Sequence, residues 1–414
     1  MSRFCIDSDH NYSKNFSLNN IVIHYQNSSV VILIYIELNF ILLKYCNKCL
    51  MPDTRPGIRF DDNGTCFACI NYEKQKNIDW KERWTELEQL CDKYRGSNGD
   101  GYDCAIAVSG GKDSHFQIYI LKEKLDMNPI LLTSGNIDWT ETGRKNLENL
   151  SDEFGCDIIM SVPNRKISRI MFKKTFSEIG SPGWYQDSAL YAFPVQMSIK
   201  LGIKLLVYGE DVNYTYGGKY DTETSSAILQ SKNDVVKPVW DKWFEDGIIS
   251  EKDLNSIKQP SMEEIKNAGL EMIYLSYFVP WNSNQNYEIA KKHGFKHLGH
   301  EYIRESSIEN YDQIDSLIYL LNPFLKFPKF GHSMATDIAS RWIRYGLKTR
   351  EEMIPFVEEY DGQLDQGVIE KFCEFTKMST SEFYSILDKW YNPELFEQDS
   401  FGVWHKKFKV GSNS

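Results

Sequence analysis

The chain has 414 residues, room for two or three domains and a sizeable core. Its 42% hydrophobic and 25% charged residues are ordinary for a soluble globular protein, and a net charge of −11 argues against long-range attraction to nucleic acid or an anionic membrane. Nine cysteines in a chain of this length do not make the dense disulfide framework of a small secreted domain, so reduced thiols in a cytoplasmic protein are expected.

Residues 1–44 form an atypical leader. They are rich in Asn and Ser and turn apolar from Val30 to Leu43, a run shorter than a membrane span and interrupted by Glu37 and Asn39. It has no basic n-region and no usual cleavage site, so a signal peptide fits poorly. A translated upstream segment is the plainer reading, a membrane-touching or partner-binding anchor the sharper one. Next come Cys46-x-x-Cys49 and Cys66-x-x-Cys69, separated by a turn-rich stretch in which Asp62-Asn63-Gly64 reads as a hairpin turn. Two such pairs suit tetrahedral Zn²⁺, one knuckle each, in a closed structural site without chemistry of its own. Helical spacing of Trp80, Trp84, Leu87 and Leu90 predicts a helix over 78–94. Residues 45–95 are thus a zinc ribbon plus linking helix, and 95–101 a flexible joint.

From there strand and helix alternate. Strands are expected at 102–108, 129–133, 157–161 and 204–208, and helices at 115–125, 141–153, 166–179 and 188–201. This order predicts an α/β domain over 96–235, a parallel sheet with helices on both faces and its ligands at the carboxyl ends of the strands. Ser109-Gly110-Gly111-Lys112-Asp113-Ser114 sits on the first strand-to-helix turn. Glycines there let backbone approach a ligand closely, the helix start offers N–H groups, and Ser109, Ser114 and Lys112 add donors, which together describe a phosphate site. The pattern lacks the longer glycine spacing of a Walker loop. Asp113 would repel a phosphate unless Mg²⁺ intervened, so a bound Mg²⁺ is expected with the phosphate.

Two further segments follow strand ends. Gly135–Arg144 and its helix supply Asn136, Asp138, Arg144 and Asn146 as polar candidates for substrate, a solvated helix start being the equal alternative. Gly209–Lys219 places Glu210 where it can hold Mg²⁺ or substrate, and Tyr216, Gly217 and Gly218 where a bulky ligand can enter. Residues 236–414 read as a mainly helical substrate domain. It opens on the aromatic, irregular stretch 237–244, and a buried strand is expected at 274–281. A helix is expected over 285–293, and capping boxes at Thr349 and Ser379 each open another. A Lys- and aromatic-rich loop over 324–337, with Lys329 and Asp337, precedes a helix at 338–344 and offers cations to a nucleotide or substrate.

The six-residue loop resembles the PP-loop of ATP pyrophosphatases, which transfer AMP from ATP to a carbonyl oxygen. The wider set resembles the N-acetyl sugar amidotransferases of surface-polysaccharide (lipopolysaccharide, O-antigen) and flagellin-sugar biosynthesis. That set is the cysteine pairs with Met51–Gly57, the loop, Tyr208-Gly-Glu210 with Tyr216-Gly-Gly218, and Lys329-Phe-Gly331 with Ala335-Thr-Asp337. The resemblance covers about residues 45–397. It departs at the leader and at His332, where a small residue is expected. It implies a Rossmann-like, adenine nucleotide alpha hydrolase-like fold and ATP with Mg²⁺. Ser109–Ser114 would bind ATP, Asp113, Lys112 and Glu210 would be catalytic, and the substrate would be an N-acetylated sugar or nucleotide sugar. The product would carry an acetamidino group. Cys104 and Cys156 read as packing residues rather than a glutaminase nucleophile, so the resemblance implies ammonia from a separate glutaminase and channel subunit. A tRNA-thiolating PP-loop enzyme is the rival, disfavoured by the acidic charge and the scattered remaining cysteines. A nucleotide-sensing or zinc-ribbon scaffold would predict a damaged loop, and this one is intact.

Overall fold

A computed structural model describes residues 43–218, 223–230, 241–244 and 247–412, without the side chains of 241 and 242. Nearly all of the leader and the first half of the aromatic stretch 237–244 lie outside the described residues. The order of elements begins with α1 (Phe67–Gln75) and α2 (Trp80–Tyr94), then β1 (Cys104–Ala107), α3 (Lys112–Ile118), β2 (Pro129–Ser134), α4 (Glu141–Phe154) and β3 (Ile158–Ser161). It continues with α5 (Arg165–Ile179), α6 (Trp184–Lys200), β4 (Leu205–Tyr208), α7 (Val212–Thr215), α8 (Asp241–Phe244), α9 (Met262–Ala268) and β5 (Glu271–Tyr274). After these come α10 (Ser283–Lys292), α11 (Leu321–Phe324), α12 (Lys326–Phe330), α13 (Met334–Arg344), α14 (Arg350–Tyr360), α15 (Gln366–Thr376) and α16 (Thr380–Leu387), and a hairpin of β6 (Phe396–Gln398) and β7 (Trp404–Lys406) closes the chain.

The five strands of the main sheet lie in the order β3-β2-β1-β4-β5 and all neighbours pair parallel. Alternation along each strand divides the core. Ile106, Leu131, Val207 and Ile273 pack on one face with Leu87 and Leu147. Ala105, Ile130, Leu132, Leu206 and Met272 pack on the other with Val195 of α6. A strand buried on both faces has no polar side to alternate with, which is why these strands read as short apolar runs. The direction of winding reverses between β1 and β4, so the loops leaving those two strands open a crevice at the carboxyl edge.

Several local features differ from the expectations. The helix after the phosphate loop starts at Lys112 rather than His115, and from Tyr119 to Lys124 it widens into a π-helix. Helix α1 was not anticipated; it springs directly from the second cysteine knuckle. The strand expected at 274–281 instead ends at Tyr274. Ser276 N–H turns to donate to Gly209 O at 2.9 Å, and Phe278 and Val279 N–H both fold back onto Leu275 O. With Pro280 lacking a donor, the apolar run cannot continue the ladder. Finally, the sheet takes its fifth strand from beyond residue 235. Of the two capping boxes, Thr349–Glu352 is reciprocal, whereas at Ser379 only the Glu382 N–H to Ser379 Oγ bond forms. No helix among the described residues is long and apolar enough to cross a membrane.

Candidate phosphate and acceptor site

The loop is shaped by its own side chains. Ser109 N–H donates to Ser114 Oγ at 3.0 Å and Gly111 N–H to Ser109 Oγ at 3.4 Å. Gly110 has φ +90°, and a Cβ there would lie 3.1 Å from the Leu147 backbone, so only glycine fits between loop and α4. His115 Nδ1 lies 3.0 Å from Gly111 O, and its Nε2 lies 3.2 Å from Asn149 Nδ2. Burial pushes this imidazole down to about 4, so it is neutral, with Nδ1–H donating to the loop carbonyl and Nε2 accepting from Asn149.

Lys112 is 5% exposed although it carries a charge, and its neighbours explain how. Its Nζ pairs with Asp113 Oδ2 at 2.9 Å and with Asp312 Oδ1. Asp312 also receives Arg341 through Oδ2. Arg304, fully buried, donates to the Asp312 carbonyl at 2.6 Å and faces Glu309 at 3.5 Å. Burial disfavours the Lys112 ammonium, but the carboxylates of Asp113 and Asp312 outweigh it and raise its proton affinity well above that of an ordinary lysine. Burial likewise opposes ionisation of Asp312, yet Arg341 and Lys112 hold its carboxyl well below the usual range. Both cations therefore stay charged beside the loop. Asp113 accepts from Asn286 Nδ2 at 2.8 Å. Across from it, Tyr216 O–H lies 3.5 Å from Glu210 Oε1, and burial plus the Asp113 charge pushes Glu210 up to about 7. A buried carboxyl whose ionisation is opposed by a neighbouring carboxylate fits a divalent cation placed between the two, and Asp113 with Glu210 is an oxygen donor pair that could hold Mg²⁺ here.

Beside the loop lies a cavity of about 290 Å³. Its lining includes Ser109, Gly111, Lys112 and Asp113 of the loop, Ser134 and Asn136 at and after the end of β2, Gln186 and Asp187 of α6, and Asp315 and Tyr319. Tyr319 O–H donates to Asp187 Oδ1 at 2.9 Å, and Asn136 Nδ2 donates to Asp315 Oδ2 at 2.6 Å.

The four cysteines form a separate closed cluster. Their sulfurs all lie within 4.8 Å of one another, with Cys46–Cys69 at 3.9 Å and Cys49–Cys66 at 3.7 Å. Tetrahedral zinc with Zn–S bonds of about 2.3 Å separates its sulfurs by about 3.8 Å, so the cluster is compatible with structural Zn²⁺. Backbone N–H groups of Lys48, Cys49 and Cys66 converge on Cys46 Sγ at 3.2–3.5 Å, as a thiolate requires. The ribbon also grips the loop that follows β4. Arg55 donates to Tyr216 O at 3.0 Å, Arg59 to Gly218 O at 2.9 Å and Asn71 to Tyr214 O at 2.9 Å.

Of the residues singled out from sequence, Ser109, Gly111, Lys112, Asp113 and Asn136 line the cavity. Gly110 and Ser114 shape the loop behind it, and Glu210 and Tyr216 stand by Asp113. Others are engaged elsewhere. Gly217 was expected to admit a bulky ligand; its missing Cβ instead makes room for the Ala68 backbone, which a Cβ would approach to 2.4 Å. Gly218 packs on Asn213 and accepts from Arg59. The loop expected over 324–337 is instead largely helical, α12 and the first turn of α13; Lys329 donates to Gly180 O at 2.6 Å and Lys326 pairs with Asp337 at 2.8 Å, so its cations are spent on protein partners. Arg144 is exposed and pairs with Glu148 one turn along α4. Asn146 exchanges two hydrogen bonds with the Lys296 backbone, and Asp138 Oδ2 accepts from Ile318 N–H at 3.4 Å. Sequence reasoning missed Asp312, Arg341, Asn286, Asp187 and Tyr319. They stand outside any short motif; the only local signal was Arg341 on the helix that opens with Asp337.

Residues 305–409 match the family model described as LPS biosynthesis protein WbpG-like, C-terminal domain. Asp312, Asp315, Tyr319 and Arg341 all belong to that segment. Over 177 residues, 41% of this chain, the sequence is 23% identical to an uncharacterised protein of Methanocaldococcus jannaschii, and it spans 60% of that relative's length. Among solved structures it is similar to one from the same organism, described as a predicted subunit of tRNA methyltransferase. Identity there is 16% and the TM-score 0.25, over 46% of this chain and 75% of that one, a superposition too loose to bear on the fold. The C-terminal segment is thus similar to a lipopolysaccharide-biosynthesis domain, and it completes a site built on a parallel α/β sheet.

Proposed function

We propose that this protein is an ATP-dependent amidotransferase that converts the acetamido group of a bacterial surface sugar into an acetamidino group. The observation that carries the reading is a shared cavity. A glycine loop with its charged Lys112 lines it, and the segment similar to a lipopolysaccharide-biosynthesis domain supplies Asp312, Asp315 and Tyr319 to the same lining and, behind Asp312, the second cation, Arg341.

An amide oxygen is a poor leaving group, so it must first be adenylated. The acetamido oxygen attacks the α-phosphorus of ATP, the bond to the β-phosphate breaks, and pyrophosphate departs with the electron pair. Ser109, the Gly111 region and Lys112 would bind the outer phosphates, with Arg341 keeping positive charge behind them through Asp312. Fixed donors and cations in a buried site stabilise the charge that develops on the leaving group without reorganising. Mg²⁺ held by Asp113 and Glu210 would neutralise phosphate charge when bound. Ammonia then attacks the imidate carbon, the C–O bond to AMP breaks, and the amide oxygen leaves on the AMP phosphate. Overall, amide, ATP and ammonia give amidine, AMP and pyrophosphate. None of the described cysteines lines the cavity, which leaves the ammonia to a separate glutaminase and its channel partner. The same absence of a nearby thiol disfavours tRNA thiolation. Residues 45–95 act in this scheme as a structural zinc ribbon and 96–235, completed by β5 and by α10 with Asn286, as the nucleotide domain, while the rest of 236–414 forms the substrate domain.

The test mixes purified protein with ATP, Mg²⁺, ammonium chloride and a panel of N-acetylated sugars and nucleotide sugars. Release of pyrophosphate together with a product in which oxygen is replaced by NH, seen by mass spectrometry, is the expected result. ATP turnover that depends on tRNA instead, or no turnover with any acceptor, would sink the proposal.

A further inference from the structure

Two groups of residues that line the cavity ask for different chemistry. Where the ligand meets Lys112 it must be an acceptor. In the other group, the carboxylate and amide oxygens Asp187 Oδ2 and Asn136 Oδ1 have no hydrogen-bond partner among the described residues, although the two side chains are 7% and 8% exposed. Buried acceptors left unpaired are costly, so groups placed this way point to a ligand that brings O–H or N–H donors. Phosphate and carboxylate ligands bring none.

The acceptors are also held in place. Tyr319 takes one oxygen of Asp187 and leaves the other, on a residue that lines the cavity, without a partner. Asp315 takes the Asn136 amide N–H and leaves that residue's oxygen free. Both orienting residues come from the 305–409 segment and not from the phosphate-loop half of the sheet.

We infer that these residues form the acceptor-sugar subsite, in which Asp187 and Asn136 receive hydrogen bonds from ring hydroxyls or the acetamido N–H, while Tyr319 positions the Asp187 carboxylate. The inference rests on the functional reading above for the class of acceptor. A pyranose with an N-acetyl group is neutral and rich in donors, and its apolar face suits the aromatic wall that Tyr319 contributes. A ribose would satisfy the same acceptors, and the experiment separates the two sources. Held there, the sugar shares the cavity with Lys112 and Asp113, so its acetamido group and an α-phosphate can meet within it.

The experiment uses full-length, zinc-loaded protein with N-acetylglucosamine, N-acetylgalactosamine and their UDP conjugates as probes. Sugar binding is read by saturation-transfer difference NMR, ATP affinity by calorimetry, and turnover by pyrophosphate release with Mg²⁺ and ammonium chloride. Asp187→Asn should weaken sugar binding by about tenfold or more and leave ATP affinity within about twofold. Tyr319→Phe should raise the KM for sugar several-fold with kcat nearly unchanged, the signature of a positioning residue. It also serves alone should Asp187→Asn fail to fold. If either variant instead weakens ATP and spares the sugar, the subsite belongs to the nucleotide and the inference falls while the reaction stands. If the wild type binds a probe sugar but never releases pyrophosphate, the proposed reaction falls while the subsite stands. Failure of the wild type to bind any of the four probes overturns the subsite.

Discussion

The cysteine cluster and the phosphate loop are both short, glycine-flanked motifs, yet they are finished in different ways. The cluster is complete within 24 residues of chain: four sulfurs at tetrahedral spacing, with nearby N–H groups turned onto them. The loop is unfinished until Asp312, Arg341 and Asn286 arrive from the far half of the sequence. A closed site stabilises and does nothing else. An open one keeps charges ready for a ligand and draws its counter-charges from wherever the fold can deliver them.

That contrast is broken most forcefully at the metal. Replacing Cys66 by Ser should abolish zinc binding and cost several kcal/mol of stability, on the order of the metal's contribution to folding. Metal content by mass spectrometry and thermal melting would check it; an unchanged melting temperature would mean that the cluster holds no structural ion. At the loop the outcome should be inverted. Lys112→Ala leaves the zinc content intact but should lower pyrophosphate release on the order of 10²–10³-fold, as loss of one fixed charge from a buried site does. It should also destabilise by about 3 kcal/mol, because Asp312 then keeps Arg341 alone. Turnover surviving at wild-type rate would remove the loop from the chemistry.

A third substitution joins the two regions. Gly217→Ala forces a Cβ to 2.4 Å from the Ala68 backbone at a φ of +68°, so it should pry the ribbon from the loop after β4 at a cost of about 1–3 kcal/mol. Hydrogen exchange would show faster exchange in both segments together; exchange confined to one would mean that the contact is incidental. The smallest effect concerns Asp187. Burial, against the hydrogen bond from Tyr319, pushes its carboxyl from 3.8 up to about 7. A raised folded value binds protons more tightly than the unfolded chain does. Its contribution to stability is therefore present below pH 4 and lost as pH rises through about 7. Asp187→Asn should melt a few degrees above wild type at pH 8 and show little advantage at pH 4. An advantage that does not change with pH would show that this carboxyl is not held neutral at low pH.

How much of this was readable from the sequence follows from the same contrast. Cys46-x-x-Cys49 with Cys66-x-x-Cys69 and Ser109–Ser114 are local patterns, and their geometry is fixed by neighbours a few residues away. The strands of the sheet are equally local, since a strand buried on both faces leaves an apolar run. The edge strand β5 was misplaced because Leu275–Trp281 is as apolar as a strand while its backbone bonds turn back on themselves. Arg144 and Asn146 looked equivalent on the opening of α4. Only the fold reveals that one faces solvent and the other staples the Lys296 backbone. Gly217 announced a close approach, but a glycine does not say what approaches. Asp312 and Lys112 are 200 residues apart, and no periodicity or spacing rule spans such a gap.

That separation has a temporal side. At roughly 5–20 residues per second of synthesis, the loop leaves the ribosome some tens of seconds before Asp312 does. Throughout that interval Lys112 has Asp113 but lacks Asp312, the second of the two carboxylates that keep its ammonium charged against burial. The nucleotide pocket of a nascent chain is therefore electrostatically immature, and fragments that end short of residue 312 should bind ATP weakly. Completion of the polypeptide acts as the switch that arms the loop.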